Sequence, residues 1–342
     1  MNRAVLARQL LIDRAAASTP EILEKMAGLQ AQYAPSSYVG LWSRRLGMER
    51  SDLDGALNDR SVIQGTLMRV TIHLASRDDY WLFAAGLRSA RRQMWLRLMR
   101  GQRTDDQMQA LADRTRTILS SGPMKRAELV KQLGVDSETW VGIGLWVDLV
   151  RVPPSGTWAR RRADLYGLAE DWVGPCTVAE EHGVDHLIRR YLDGFGPAGM
   201  GDLVSWSGLP ASMLAPRLEA METVSFQDSS GRELFDLPGG LLPDPGTPVP
   251  VRFLPTWDAS LLVHCRRAGI LPERYRARVF HVKNPQSVNT LLVDGAVAGT
   301  WRNDKGRIVV EPFEPLDPAT RREVDQEASR LEAFVSGVSG DS

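Results

Sequence analysis

Gly122-Pro123-Met124-Lys125-Arg126-Ala127-Glu128-Leu129-Val130-Lys131-Gln132-Leu133-Gly134-Val135 and Gly196-Pro197-Ala198-Gly199-Met200-Gly201-Asp202-Leu203-Val204-Ser205-Trp206-Ser207-Gly208-Leu209 are two copies of one pattern, 74 residues apart (122 to 196). Gly-Pro, an acid, Leu-Val and a late Gly coincide without a gap. Amphipathic stretches precede both copies (residues 107–119 and 186–195) and follow both (137–149 and 211–221). Helix, glycine-containing turn, helix and a further helix is the helix-turn-helix plan.

Each copy then runs into a candidate hairpin. Val150 to Trp158 leads through a tight turn into Asp164-Leu165-Tyr166-Gly167-Leu168, and Thr223 to Gln227 with Leu234 to Leu237 flank Asp228-Ser229-Ser230-Gly231-Arg232. Three helices and a hairpin make a winged helix. The fold class expected is mainly α with β-hairpin wings (α+β), as tandem winged helix-turn-helix units.

The N-terminal third fits a further copy less cleanly. Residues 6–17 read as a helix, Thr19-Pro20 as the N-cap and first turn of a second, residues 51–58 as another, and 62–74 as strand. Toward the other end, residues 290–301 read as a hairpin around Asp294-Gly295, and 321–334 as a terminal helix. The expected division is 1–118, 119–185 and 186–250 for three winged-helix units, with 251–342 a β-rich segment.

The chain has 342 residues, 43% of them hydrophobic and 25% charged, an ordinary balance for a globular protein. No stretch approaches a membrane span, and Arg8, Asp13 and Arg14 break any signal-peptide pattern, so the expected location is cytoplasmic. Two cysteines, Cys176 and Cys265, exclude a disulfide framework and a Cys-based zinc cage.

Lys+Arg and Asp+Glu number 42 each, which at first argues against a nucleic-acid partner. By segment, however, the net charge is +6 for residues 1–120, −1 for 121–190, −6 for 191–250, +6 for 251–310 and −5 for 311–342. Basic and acidic blocks cancel, and a positive face remains compatible with neutrality. The densest basic run is Arg88, Arg91, Arg92, Arg97, Arg100 and Arg103, interleaved with Met94, Trp95, Leu96, Leu98 and Met99. It reads either as a solvated face over a core stripe or as phosphate contacts along a duplex. Candidate DNA contacts are Arg44, Arg45, Arg69, His73, Arg91, Arg92, the Arg160-Arg161-Arg162 run behind Trp158, and Arg302 and Lys305 beyond the late hairpin.

GxGxxG, Walker, GxSxG and HExxH motifs are absent. His182 and His186 have the spacing of helical metal ligands, but Gly183 intervenes and no ligand cluster is near, so a surface pair is expected and no metal or cofactor. The unusual local feature is Leu29-Gln30-Ala31-Gln32-Tyr33-Ala34-Pro35-Ser36-Ser37. On a helix, Gln30 and Gln32 would diverge; in an extended segment both amides face the same way. Pro35 and the serine pair support loss of helix there, yet on residue chemistry alone a polar helix end is the favoured reading.

Leu29-Gln30-Ala31-Gln32, closing the second helix, resembles the glutamine-hydrophobic-glutamine motif of the AlkZ family of bacterial DNA glycosylases. Leu67-Met68-Arg69-Val70-Thr71-Ile72-His73-Leu74 resembles that family's Met-Arg-Gly-Thr-Leu-His-Leu, and Leu254-Pro255-Thr256-Trp257-Asp258 its Leu-Pro-Ala-Phe-Asp. Val293-Asp294-Gly295 through Gly299-Thr300-Trp301 resembles its late hairpin. The matches span most of the chain in the right order. Departures are Val70 for Gly, Ile72 for Leu and Trp257 for Phe.

The resemblance implies tandem winged helices around a positively charged cleft, with Gln30 and Gln32 as catalytic residues. It also implies excision of bulky alkylated bases, including interstrand crosslinks from natural-product genotoxins; self-resistance and general alkylation repair both stay open. The chemistry is coherent. An N7-alkylated guanine is cationic and leaves readily, so a placed water and a stabilised oxocarbenium-like sugar suffice, and neutral amides can place water. No lysine lies between Lys25 and Lys125, which disfavours a Schiff-base mechanism and favours a monofunctional, water-using enzyme. The expected partner is double-stranded DNA carrying alkylated bases, met by a monomer. The rival reading is a non-enzymatic winged-helix binder, either a transcriptional regulator or a drug-sequestering resistance protein.

Overall fold

The computed structural model describes residues 2–262, 267–280 and 287–337; Cys265 lies outside the described residues. The chain begins with α1 (Asn2–Arg8) and α2 (Thr19–Lys25). Ser18, not Thr19, caps α2: Ser18 and Glu21 form a reciprocal capping box, with Thr19 and Pro20 inside the first turn. The helix ends at Lys25, so the Leu-Gln-Ala-Gln stretch does not close it; Leu29–Gln30 is a short strand, β1. Gly28 makes the corner at φ +80°, where an added Cβ would sit 3.2 Å from the Leu74 carbonyl.

Next come α3 (Ala34–Trp42), α4 (Arg50–Asn58) and the hairpin β2 (Val62–Thr66) and β3 (Ile72–Ser76). The region expected as one strand over 62–74 is thus two strands joined by a 3₁₀ turn, Met68–Val70. α5 (Arg77–Leu98) follows, capped by Ser76.

Both copies of the repeat have the same local plan. The first is α6 (Asp105–Leu119), β4 (Met124–Lys125), α7 (Arg126–Leu133), α8 (Ser137–Trp146), β5 (Leu149–Arg151) and β6 (Leu165–Leu168), closed by α9 (Ala169–Val173). The second is α10 (Glu180–Phe195), α11 (Met200–Ser207), α12 (Ala211–Glu219), β7 (Val224–Gln227) and β8 (Glu233–Asp236). The late glycine of each copy does the same job: Gly134 (φ +68°) and Gly208 (φ +78°) are the left-handed caps that end α7 and α11. The first hairpin departs from expectation, because residues 152–164 form a long loop rather than a tight turn. Ser155 Oγ pins that loop, accepting from the Asp164 and Leu165 amides and donating to the Arg162 carbonyl.

The C-terminal part holds β9 (Arg252–Leu254), α13 (Ala259–Leu262), α14 (Arg276–Val279), β10 (Thr290–Val293), β11 (Ala296–Asp304), β12 (Arg307–Pro312) and α15 (Pro318–Ser336). Asp294 and Gly295, both at positive φ, turn β10 into β11.

Two features knit the sequence segments together. A six-stranded sheet, in the order β1-β3-β2-β5-β6-β4, crosses the expected boundary at residue 118, through pairing of Gln64 with Arg151. An apolar core unites Ile22, Leu29, Tyr38 and Leu53 with Phe253, Leu291, Trp301 and Leu331 of the C-terminal part. A second packs α5 and α10 together over Phe83, Leu87, Leu187 and Tyr191.

Candidate functional site

Strand β1 pairs antiparallel with β3, Leu29 opposite Leu74 and Gln30 opposite His73, and the Ala31 amide donates to the Ile72 carbonyl (2.7 Å). The segment is therefore extended through residue 31, and residues 30 and 32 fall on one side. Gln30, Gln32, Tyr33 and Thr71 line a cleft of about 710 Å³, facing Thr256, Trp257 and Ser287 from the C-terminal part. Gln30 is buried at the cleft wall and Gln32 is exposed within it.

Gln30 is held from behind. Arg69 Nη2 donates to Gln30 Oε1 (2.9 Å), and Arg69 Nη1 donates to the Trp206 carbonyl at the end of α11. Arg69 and Val70 both lie in the left-handed region, at φ +52° and +59°. A β-branched residue rarely adopts that conformation, so Val70 occupies a backbone position suited to the glycine found there in the Met-Arg-Gly pattern. His73 sits beside this group, its Nδ1–H donating to the Thr71 carbonyl (3.0 Å). Burial, and next the Arg69 charge, push its pKa down to about 3. It is a buried neutral ring inside the wall, a core and hydrogen-bonding residue as its sequence setting also allowed, and not a direct DNA contact.

The opposite wall is the Leu254–Asp258 turn. Asp258 is fully buried and paired with Arg44, with Arg44 Nη2 to Asp258 Oδ1 at 2.9 Å and Nη1 to Oδ2 at 2.9 Å. Arg44 also donates to the Gly40 carbonyl (3.0 Å). This pair anchors the turn to the end of α3, and Ser36 Oγ bonds Thr256 Oγ1 (2.7 Å). The Thr256 amide donates to Asn289 Oδ1 (2.9 Å) and the Trp257 amide to Ser287 Oγ (2.8 Å). So restrained, Trp257 is kept at φ +67° with its side chain at the cleft.

Other expected DNA contacts separate into buried and exposed. Arg44 is fully buried with its terminal nitrogens taken by Asp258, Gly40 and Ser260, so it does not reach a phosphate. Arg91 is buried and donates to the Thr66 carbonyl (2.8 Å). Arg92 donates to the Leu145 carbonyl (2.9 Å) and lies over the Trp146 ring. Arg88 pairs with Asp148 (2.9 Å). The buried Arg44 and Arg91 are thus corrected from DNA contacts to structural residues, while Arg88 and Arg92 are half-buried and partly committed to the fold. The sequence carried a signal for Arg91: it stands four residues from both Leu87 and Trp95, on the buried stripe of α5. Arg45 is half-buried, donating to the Ala17 carbonyl (2.7 Å) and paired with Asp52.

Arg160, Arg161 and Arg162 are exposed. The loop that carries them docks through Trp158, whose amide donates to Tyr38 Oη (3.0 Å) and whose ring meets Tyr38 edge-on at 5.5 Å. That docking delivers Arg161 to the cleft rim, where its Nη1 donates to Tyr33 Oη (3.1 Å). Arg302, paired with Glu311, and Lys305, at the β11–β12 turn, are exposed as well.

His186 Nε2 lies 2.6 Å from buried Asp79 Oδ1, which also accepts from Arg190. Gly183 is inside α10, where it crosses α5 at Gly86 with backbones in contact. Among the described residues no group of His, Cys, Asp or Glu is placed to hold a metal ion, and no described helix is long and apolar enough to cross a membrane.

The chain is similar to the interstrand DNA cross-link repair glycosylase of Streptomyces sahachiroi, 24% identical over 366 aligned positions that cover 97% of this chain and 94% of that protein. Its fold is similar to the solved structure of the Streptomyces sahachiroi DNA glycosylase AlkZ, with a TM-score of 0.80 at 20% identity over 99% of this chain and 95% of that one. Residues 23–334 match the family described as DNA glycosylase AlkZ-like, so the chain belongs to the AlkZ-like DNA glycosylases.

Proposed function

We propose that this protein is a monofunctional DNA glycosylase that hydrolyses the N-glycosidic bond of N7-alkylated purines, bulky and interstrand-crosslink adducts included, and leaves abasic sites. We read its two repeats as tandem winged helices that hold the duplex while the cleft addresses one nucleotide. The observation that carries the reading is the placement of Gln30 and Gln32 side by side on an extended segment at the wall of an open cleft. Family membership and the relative named as a cross-link repair glycosylase support the same class of reaction.

The cleft suits a cationic leaving base. Among the described residues that line it there is no carboxylic acid to protonate a normal purine, and His73 nearby stays neutral. An N7-alkylpurinium needs no such proton. A water oxygen bonds to C1′ while the C1′–N9 bond breaks, and the bonding pair neutralises the positive charge of the departing ring. The water's spare proton passes to solvent. Amides place that water; they do not act as strong bases. Tyr33 and Trp257 present aromatic surface to the cleft, which favours a cation over a neutral base. Cleft openness to solvent also admits an adduct too bulky for a closed base-flipping pocket.

The test is incubation with duplex carrying 7-methylguanine or an N7 crosslink, followed by alkaline cleavage at abasic sites. Wild type is expected to cut at the lesion. Replacing Gln30 and Gln32 together by Ala is expected to lower the single-turnover rate on the order of 100-fold or more. Full activity of that double variant, or binding to a specific undamaged sequence without excision, would overturn the reading.

A further inference from the structure

The two glutamines look equivalent in sequence, yet their surroundings differ. Gln30 Oε1 accepts from Arg69 at 2.9 Å, whereas Gln32 is exposed and has no hydrogen-bond partner among the described residues. A guanidinium can only donate. Flipping the Gln30 amide would set its NH₂ against that donor, so the orientation is locked. The oxygen is engaged, and the nitrogen is what Gln30 has to offer the cleft.

Arg69 is itself held in place. It adopts the left-handed conformation, its other terminal nitrogen donates to the Trp206 carbonyl, and the turn at Gly208 packs on its backbone at 3.5 Å from an added Cβ. Among the described residues no carboxylate pairs with it. Burial lowers its pKa to about 10, which leaves it charged at neutral pH. A largely desolvated cation satisfied by a carbonyl and an amide oxygen, with no carboxylate, is costly unless it does something an apolar side chain could not.

We infer that Arg69 is a positioning residue that holds Gln30 as a hydrogen-bond donor, and that the glutamines divide the work, Gln30 donating to the sugar–phosphate side of the nucleotide or to the water oxygen and Gln32 accepting from the water. This rests on the glycosylase reading above. The same guanidinium ties the donor to α11, so the second repeat unit helps to set the geometry of a site whose glutamines lie in the N-terminal third.

The experiment is a double-mutant cycle on single-turnover excision of 7-methylguanine, with duplex dissociation constants measured in parallel. Arg69→Met is expected to slow excision by nearly the factor that Gln30→Ala does, on the order of 10-fold or more, with little change in duplex affinity. Added to Gln30→Ala, it should cost less than about threefold more; added to Gln32→Ala, the two factors should multiply. Gln30→Glu gives Arg69 a carboxylate and removes the donor, so it should melt no lower than wild type and be as slow as Gln30→Ala. Equal losses from Arg69→Met in wild-type and Gln30→Ala backgrounds, an effect on affinity alone, or wild-type excision by Gln30→Glu would each overturn the inference. Should Arg69→Met not fold, the Gln30→Glu result decides it. Absence of excision by the wild type removes the glycosylase reading and this inference together, whereas excision with an uncoupled cycle removes this inference alone.

Discussion

At the scale of single residues, charge assigned by counting proved a poor guide to position. Arg44 is matched to Asp258, 214 positions away, and no local pattern marks that partnership. The Gln30–Arg69 contact is just as invisible, because it depends on a strand pairing and a left-handed turn that only the assembled sheet creates. Gln30 and Gln32 stood out only through the resemblance of Leu29–Gln32 to a family motif, because residue chemistry alone favoured a polar helix end, and it is the pairing of β1 with β3 that makes the segment extended. His73 offers a pH test. Its folded pKa of about 3 lies below the ordinary histidine value of 6.5, so the neutral ring stabilises the fold fully above pH 6.5 and the contribution is lost as pH falls toward 3. Between those limits the unfolded chain binds the extra proton, and stability should decline by about 1.4 kcal/mol per pH unit on this account. Urea denaturation at pH 7 and pH 5 should show that decline in wild type and a shallower one in His73→Gln; equal slopes would contradict it.

Secondary elements show where pattern reading succeeds and where it stops. The repeat was visible because Gly134 and Gly208 are local caps and the flanking helices carry their own apolar periodicity. Gly183 reads as an interruption between two histidines, yet it lies within α10, and the reason is tertiary. A Cβ there would stand 2.4 Å from the Gly86 nitrogen and 2.6 Å from the Leu82 carbonyl oxygen, so the α5–α10 crossing requires glycine on both sides. Backbone cannot move aside as a side chain can. Gly183→Ala should therefore destabilise by about 3 kcal/mol, the upper part of the usual range for overpacking, even though alanine favours helix. A drop in the denaturation midpoint checks this, and a midpoint at or above wild type would contradict so close a crossing.

For the whole molecule, electroneutrality hides an uneven surface. The Arg160–Arg162 loop and the β11–β12 turn keep their cations in solvent, while α5 spends many of its arginines on carbonyls and Asp148. Binding to undamaged duplex should accordingly be modest and salt-sensitive, each phosphate contact adding about 0.9 to the slope of log K against log salt. Replacing Arg160, Arg161 and Arg162 by Gln should weaken binding and flatten that slope by about 1 to 3. Titration of a fluorescent duplex at several salt concentrations measures it, and an unaltered slope would move the DNA path elsewhere.

The cleft joins residues 30–33 to residues 254–258, and the turn bearing Trp257 is anchored by Arg44 on one side and by Ser287 and Asn289 on the other. Its first wall leaves the ribosome more than two hundred residues before its second. A growing chain can form the α2–β1 corner and both repeats and still have no closed cleft, since the facing wall and its latch do not yet exist. On the proposed function, catalytic competence therefore waits for the second wall, and the glutamines of a chain that lacks it have no cleft in which to act on DNA.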